Sequence, residues 1–65
     1  MNIEYEIFEL EDEIDMLSDR RVYLEGLNYA GEIDHEYLYE QLDLLDFKLE
    51  GLYEKLDSLY QERAI

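Results

Sequence analysis

The chain has 65 residues, and 19 acidic residues against five lysines and arginines give it a net charge of −14. This charge repels nucleic acid and anionic membrane surfaces, so it excludes direct nucleic-acid or membrane binding and favours a partner protein with a basic surface. Cysteine is absent and His35 is the only histidine, which excludes a disulfide framework and a zinc site. We expect no metal and no cofactor.

The small size of the chain matters for its stability. A single hydrophobic core of this size provides little net free energy of folding, so self-association or a partner protein is expected to add to the stability. The N-terminus is acidic where an export signal is basic, and no apolar run reaches membrane-spanning length. We therefore expect a cytoplasmic protein.

Apolar residues in the first half of the chain recur in alternating steps of four and three, which places them in one stripe along a helix. The stripe consists of Ile3, Ile7, Leu10, Ile14, Leu17, Arg21 and Leu24. Arg21 is its only charged member. We expect the Arg21 stem to pack in the seam, fixing the register, while its head reaches Asp46 or Glu25.

The second half repeats this spacing with leucine throughout. Its stripe consists of Leu38, Leu42, Leu45, Leu49, Leu52, Leu56 and Leu59. Turn-forming residues are concentrated between the halves, where Gly31 suits a helix C-terminus and Asp34 suits the N-cap of the next helix. Residues 1–65 are therefore predicted to form one all-α domain, an antiparallel coiled-coil-like hairpin with helices over about 2–30 and 35–63 and a turn over 31–34.

The residues on the two sides of the paired seams differ in charge. One side, here called the interface flank, combines apolar and basic residues, and an acid from another subunit would relieve the repulsion between its cations. We predict that two hairpins associate there as a homodimer, forming a four-helix bundle; the alternative is a monomer with scattered apolar residues on its surface. The predicted partner interface consists of Met16, Arg20, Tyr23, Leu27, Tyr37, Leu44 and Lys48.

The opposite side, here called the acidic flank, carries carboxylates at seven-residue spacing on the second helix. The predicted acidic binding face consists of Asp12, Asp15, Asp19, Glu36, Asp43, Glu50 and Asp57. One interpretation is an ordinary solvated helix face. The other is that the carboxylates imitate nucleic-acid phosphates and occupy the basic cleft of another protein. Tyr39, Tyr53 and Tyr60 are expected to cover the seam on this flank, with hydroxyls reaching Glu25, Glu11 and Glu4 respectively.

Catalysis is not expected, because paired carboxylates need a concave, partly desolvated pocket and a two-helix rod offers none. Ser18 and Ser58 lie far apart on the paired helices, and the glycines are too dispersed to form a phosphate-binding loop. The Glu32-Ile33-Asp34-His35 step fits the Glu-x-x-His pattern of di-iron bundles. It occurs once, at the turn, without matching core glutamates, so we expect no metal there.

The segment Leu38-Tyr39-Glu40-Gln41-Leu42-Asp43 resembles the signature of the Spo0E-like aspartyl-phosphate phosphatases. These are small acidic helical hairpins with a Ser-Gln-Glu-Leu-Asp motif in the second helix. Leu42 and Asp43 match that motif, Tyr39 stands in place of its serine, and Glu40 and Gln41 are transposed. The resemblance implies docking onto a response regulator and assistance in its dephosphorylation.

Three classes of function follow from these patterns. The favoured one is a protein-binding inhibitor or modulator of a host protein, since short length and strong acidity are typical of phage and mobile-element proteins of that kind. The alternatives are a phosphatase-like regulator and a structural coiled-coil assembly element.

Overall fold

The structure, a computed structural model, describes residues 2–64. Helix α1 spans Ile3–Tyr29 and helix α2 spans His35–Ala64. They pack side by side as an antiparallel hairpin that forms a rod of 49 × 15 × 15 Å. The predicted all-α hairpin is confirmed, and each helix begins and ends within one residue of its expected position. Within residues 2–64, neither helix is long and apolar enough to cross a membrane.

The turn has the capping chemistry that the sequence indicates. Gly31 has a φ of 79°, Glu32 N donates to Leu27 O and Gly31 N donates to Asn28 O, which is the Schellman pattern that ends a helix. Asp34 Oδ1 accepts from Tyr37 N at 2.8 Å, as expected for an N-cap. Because the chain reverses within five residues, α2 must run back along α1.

Two further asparagine contacts stabilise the ends of α1. Asn28 Nδ2 donates to Ile33 O at 3.0 Å and holds the turn against the helix. Asn2 Oδ1 accepts from Glu4 N at 3.0 Å and from Tyr5 N at 3.4 Å, so Asn2 caps the N-terminus of α1.

The seam residues form the core, which is divided into two clusters. The cluster near the chain ends is built on Ile7, Leu10, Ile14, Leu49 and Leu56. The cluster near the turn is built on Leu24, Leu38 and Leu45, with Ile33 packed against it. Leu17 contacts both clusters. The next seam residue of α1 is the half-buried Arg21, and it is followed by Leu24 of the cluster near the turn. The predicted interruption of the seam therefore coincides with the boundary of the two clusters.

Candidate protein-binding surfaces

Arg21 links the core to the acidic flank. Its Nη1 donates to Asp46 Oδ1 across the helix pair, and its Nε donates to Glu25 Oε1 at 3.3 Å one turn along α1. The side chain of Arg21 is 38% exposed, so its charge lies at the surface while its stem covers the seam. Both predicted partners of Arg21 are confirmed.

A second cross-helix network lies near the chain ends. Tyr60 Oη donates to Glu11 Oε2 at 3.1 Å, and Arg63 Nη1 donates to Glu4 Oε2 at 3.2 Å. The Arg63 guanidinium carbon lies 5.0 Å from the centre of the Tyr60 ring, within the range of cation–π attraction. This network attaches the last two turns of α2 to the first three turns of α1.

The prediction that Tyr60 pairs with Glu4 is wrong, since its hydroxyl reaches Glu11. Helical side chains lean toward the N-terminus of their own helix. In an antiparallel pair this tilt brings Tyr60 and Glu11 toward each other, while Glu4 leans away and pairs with Arg63. Partial burial, and then the hydrogen bond to Glu11, raise the pKa of Tyr60 above its ordinary value.

Tyr39 and Tyr53 do not make the hydrogen bonds predicted for them within residues 2–64. Tyr39 stacks on His35, with ring centres 6.2 Å apart. Tyr53 is 52% exposed and lines a groove that also contains Ser18. By the tilt that explains the Tyr60 contact, Tyr53 leans toward Ser18, whose short side chain leaves space. The two tyrosines therefore present ring surface to solvent on the acidic flank.

The groove beside Ser18 has a volume of about 720 Å³ and is open to solvent. Its lining combines the buried seam residue Leu49 with charged and aromatic side chains. The lining residues are Ser18, Arg21, Asp46, Leu49, Glu50, Tyr53 and Glu54. An extended apolar and acidic surface of this kind suits contact with a basic macromolecule better than enclosure of a small molecule.

All members of the acidic binding face are exposed: Asp12, Asp15, Asp19, Glu36, Asp43, Glu50 and Asp57. None of them forms an ion pair with a lysine or arginine in residues 2–64. Along α2 the four carboxylates are about 10.5 Å apart, two helical turns per step. Asp12 and Asp19 project further toward the outer side of α1 than Asp15 does, so the face wraps around that helix.

Sequence reasoning missed a set of apolar residues on the acidic flank. Phe8, Val22 and Tyr29 occupy the same row of α1 as Asp15, and they are 66%, 68% and 96% exposed. The seven-residue spacing of Phe8, Asp15, Val22 and Tyr29 could have identified this row. The acidic flank therefore has an acidic rim on α2 and a mainly apolar rim on α1.

On the interface flank, every residue of the predicted partner interface except Leu27 is exposed. Met16, Tyr23 and Leu44 are 69%, 58% and 58% exposed, and Tyr37 is 46% exposed. Leu27 is half-buried and packs against the core cluster near the turn. The exposed apolar residues form the kind of patch that marks interaction surfaces in other proteins.

The basic residues divide between the flanks. Arg21 and Arg63 pair with carboxylates, whereas Arg20, Lys48 and Lys55 have no ion pair within residues 2–64. These three lie on the interface flank. In a chain with 19 acids, cations without an ion pair in the described residues are available to acids on another molecule.

The remaining chemistry of the chain is sparse. Over the described part of the chain, no group of three or more histidine, aspartate or glutamate side chains lies close enough to hold a metal ion. Asp43, the aspartate of the phosphatase-like segment, is exposed on α2 and belongs to the acidic binding face. Compared with known proteins, the chain matches no family model, no curated protein and no solved structure.

Proposed function

We propose that the hairpin is a protein-binding module that docks through its acidic binding face onto a basic surface of another protein and thereby inhibits or modulates it. The observation that carries this proposal is the set of seven exposed carboxylates without an ion pair in residues 2–64. Their mutual repulsion costs stability in the free hairpin, and a basic partner relieves it.

The apolar neighbours of these carboxylates favour a protein as the partner. Phe8, Val22, Tyr29 and Tyr53 are exposed beside them, and aromatic residues at the centre of an interface supply much of the binding energy. The charges accelerate the encounter and the apolar side chains slow dissociation.

Nucleic-acid mimicry is a more specific form of the proposal. The α2 carboxylates form a regular row of negative charge with a step of about 10.5 Å, and such a row suits the basic cleft of a nucleic-acid-binding protein. If the hairpin mimics nucleic acid, duplex DNA should compete with it for the partner. A partner that binds the hairpin and duplex DNA at the same time would contradict mimicry.

The test compares two variants of equal net charge in pull-downs from a native lysate. The first neutralises the α2 carboxylates (Glu36→Gln, Asp43→Asn, Glu50→Gln, Asp57→Asn), and the second neutralises acids outside the acidic binding face (Glu6→Gln, Glu9→Gln, Glu40→Gln, Glu62→Gln). We expect the protein recovered by the unmodified hairpin to be retained by the second variant and lost by the first. Equal retention or equal loss contradicts the proposed surface.

We also propose that two hairpins associate through the partner interface into a four-helix bundle. The exposure of Met16, Tyr23 and Leu44 and the cations of the same flank that lack an ion pair in residues 2–64 support this assembly. Burial of these side chains adds apolar area to a core that is only one seam wide. Sedimentation equilibrium is expected to give twice the mass of the chain.

A further inference from the structure

We infer that the two hairpins of the proposed dimer lie antiparallel, so that α1 packs on α1 and α2 packs on α2 across a two-fold axis that passes between Met16 and Leu17 on α1 and between Leu49 and Glu50 on α2. This inference rests on the proposed dimer and adds its orientation. The occupant of the interface flank is thus a second copy of the chain, and the argument for it is charge and shape complementarity.

Met16 and Gly51 both lie within about 3 Å of this axis along the rod, at 1.5 Å per residue. The core residues on either side of them, Ile14 and Leu17 on α1 and Leu49 and Leu52 on α2, pack in one cluster. Met16 is 69% exposed, and the space in front of Gly51 is empty to at least 4 Å. A flexible methionine side chain and an adjacent glycine allow two helix pairs to approach closely at this level.

The charges of α1 are self-complementary about this axis. Glu13 lies three residues before Met16 and Arg20 lies four residues after it. A two-fold axis beside Met16 therefore places Arg20 of each copy opposite Glu13 of the other, giving two symmetric ion pairs. Arg20 has no ion pair in residues 2–64 of the single hairpin, so this contact supplies one.

The second helix is compatible with the same axis. Lys48, three residues before Gly51, comes level with Gly51 of the second copy, where no side chain obstructs its stem. Leu44 comes level with Lys55 of the second copy, whose aliphatic stem can cover it. No pair of like charges is placed directly opposite on either helix.

A parallel arrangement is less favourable for the charges. There α1 of one copy packs on α2 of the other at the same height, and Arg20 meets Lys48. Glu6 likewise meets Glu62, whereas Glu13 meets Lys55, so two of these three charged contacts join like charges. Like charges placed directly opposite each other disfavour a docking mode, so the antiparallel orientation is the complementary one.

Charge exchange distinguishes the two orientations. At about 0.15 M salt, where surface charges are screened beyond about 8 Å, Arg20→Glu is expected to raise the dimer dissociation constant roughly tenfold. Adding Glu13→Arg to this variant is expected to restore the dimer. Adding Asp12→Arg instead restores the net charge without the pairing and is expected to leave the dimer weak. A parallel dimer gains from Arg20→Glu alone, so tighter association contradicts the inference.

Cross-linking tests the position of the axis in the same dimer. The chain has no cysteine, so Met16→Cys introduces a single thiol that is expected to form an intermolecular disulfide under mild oxidation. Val22→Cys, equally exposed but on the acidic flank, is the matched control and is expected to form none. Equal cross-linking of the two variants, or none at residue 16, overturns the orientation.

Sedimentation of the unmodified chain separates the possible failures. A monomer at all concentrations contradicts both the proposed dimer and its orientation. A dimer that neither responds to Arg20→Glu nor cross-links through residue 16 contradicts the orientation alone, and the proposed dimer then stands.

Discussion

The two flanks of the hairpin expose similar amounts of large apolar side chain but differ in charge, since the interface flank mixes cations with acids such as Glu13 and the acidic flank carries mainly carboxylates. The interface flank exposes Met16, Tyr23 and Leu44 beside cations without an ion pair in residues 2–64. The acidic flank exposes Phe8, Val22 and Tyr53 beside carboxylates that equally lack one. Apolar exposure alone therefore does not distinguish a self-association surface from a partner surface, and the charges must decide.

The charge difference also explains where the internal ion pairs lie. Arg21 and Arg63 both reach acids on the acidic flank, so that flank is already tied across the two helices. Arg20, Lys48 and Lys55 on the interface flank form no such ion pair in residues 2–64. Contacts within the chain therefore join the two helices on the acidic flank, whereas the interface flank has charges that an identical chain can complement.

The largest expected effect comes from the core that supports both flanks. Leu24 is 3% exposed, and Leu24→Ala should destabilise the hairpin by about 2–5 kcal/mol through the cavity it leaves. Leu44→Ala removes the same atoms from an exposed site and should change the stability of the monomer by less than about 0.5 kcal/mol. Thermal melts followed by circular dichroism, at a chain concentration low enough for the monomer, measure both, and equal losses there would place Leu44 within the core.

The next effect concerns self-association. Leu44→Glu puts a carboxylate into the partner interface and should shift the sedimentation profile from dimer toward monomer. Val22→Glu makes the same change on the acidic flank, where Val22 is 68% exposed, and should leave the profile unchanged. If both variants or neither dissociate, the assignment of the interface flank is wrong.

A smaller effect is expected where the seam meets the acidic flank. Arg21→Leu should leave stability unchanged or raise it by about 1 kcal/mol, because leucine joins the two core clusters more effectively than a paired arginine does. Arg21→Ala, which removes both stem and charge, should lower stability. Urea denaturation tests this, and equal destabilisation by both variants would show that the ion pair itself holds the helices.

The smallest effect is expected at Tyr60. Its raised pKa means that the contribution of its hydroxyl to stability is complete below the ordinary tyrosine pKa near 10 and is lost as pH rises through the higher folded-state value. Tyr60→Phe should therefore lower the melting temperature slightly at pH 8, and this difference should vanish at strongly alkaline pH. Tyr53→Phe is the control. A difference that grows with pH would be inconsistent with the Glu11 hydrogen bond.

Periodicity and the turn residues together were sufficient to predict the hairpin, because two apolar seams joined by a short turn bury each other when the helices run antiparallel. The partners of Arg21 were also predictable, since helix spacing brings both Glu25 and Asp46 within reach. Spacing alone did not predict the Tyr60 contact with Glu11, which depends on the direction in which helical side chains lean.

The apolar rim of the acidic flank was overlooked for a different reason. Phe8, Val22 and Tyr29 are separated by polar residues and belong to neither seam, so a search for core positions passes over them. Their exposure becomes evident only when both helices are in place. Composition describes that flank as acidic, whereas the fold shows an acidic rim facing an apolar one.

The most direct test of the central claim is chemical-shift mapping of the isotope-labelled hairpin with the partner recovered in the pull-down. The amide resonances that shift on addition of the partner should belong to the acidic flank, around Ser18, Glu50 and Tyr53. The amide resonances of Met16, Tyr23 and Leu44 should keep the chemical shifts that they have in the hairpin dimer without the partner. Shifts confined to the interface flank would contradict the claim that the acidic binding face recognises the partner.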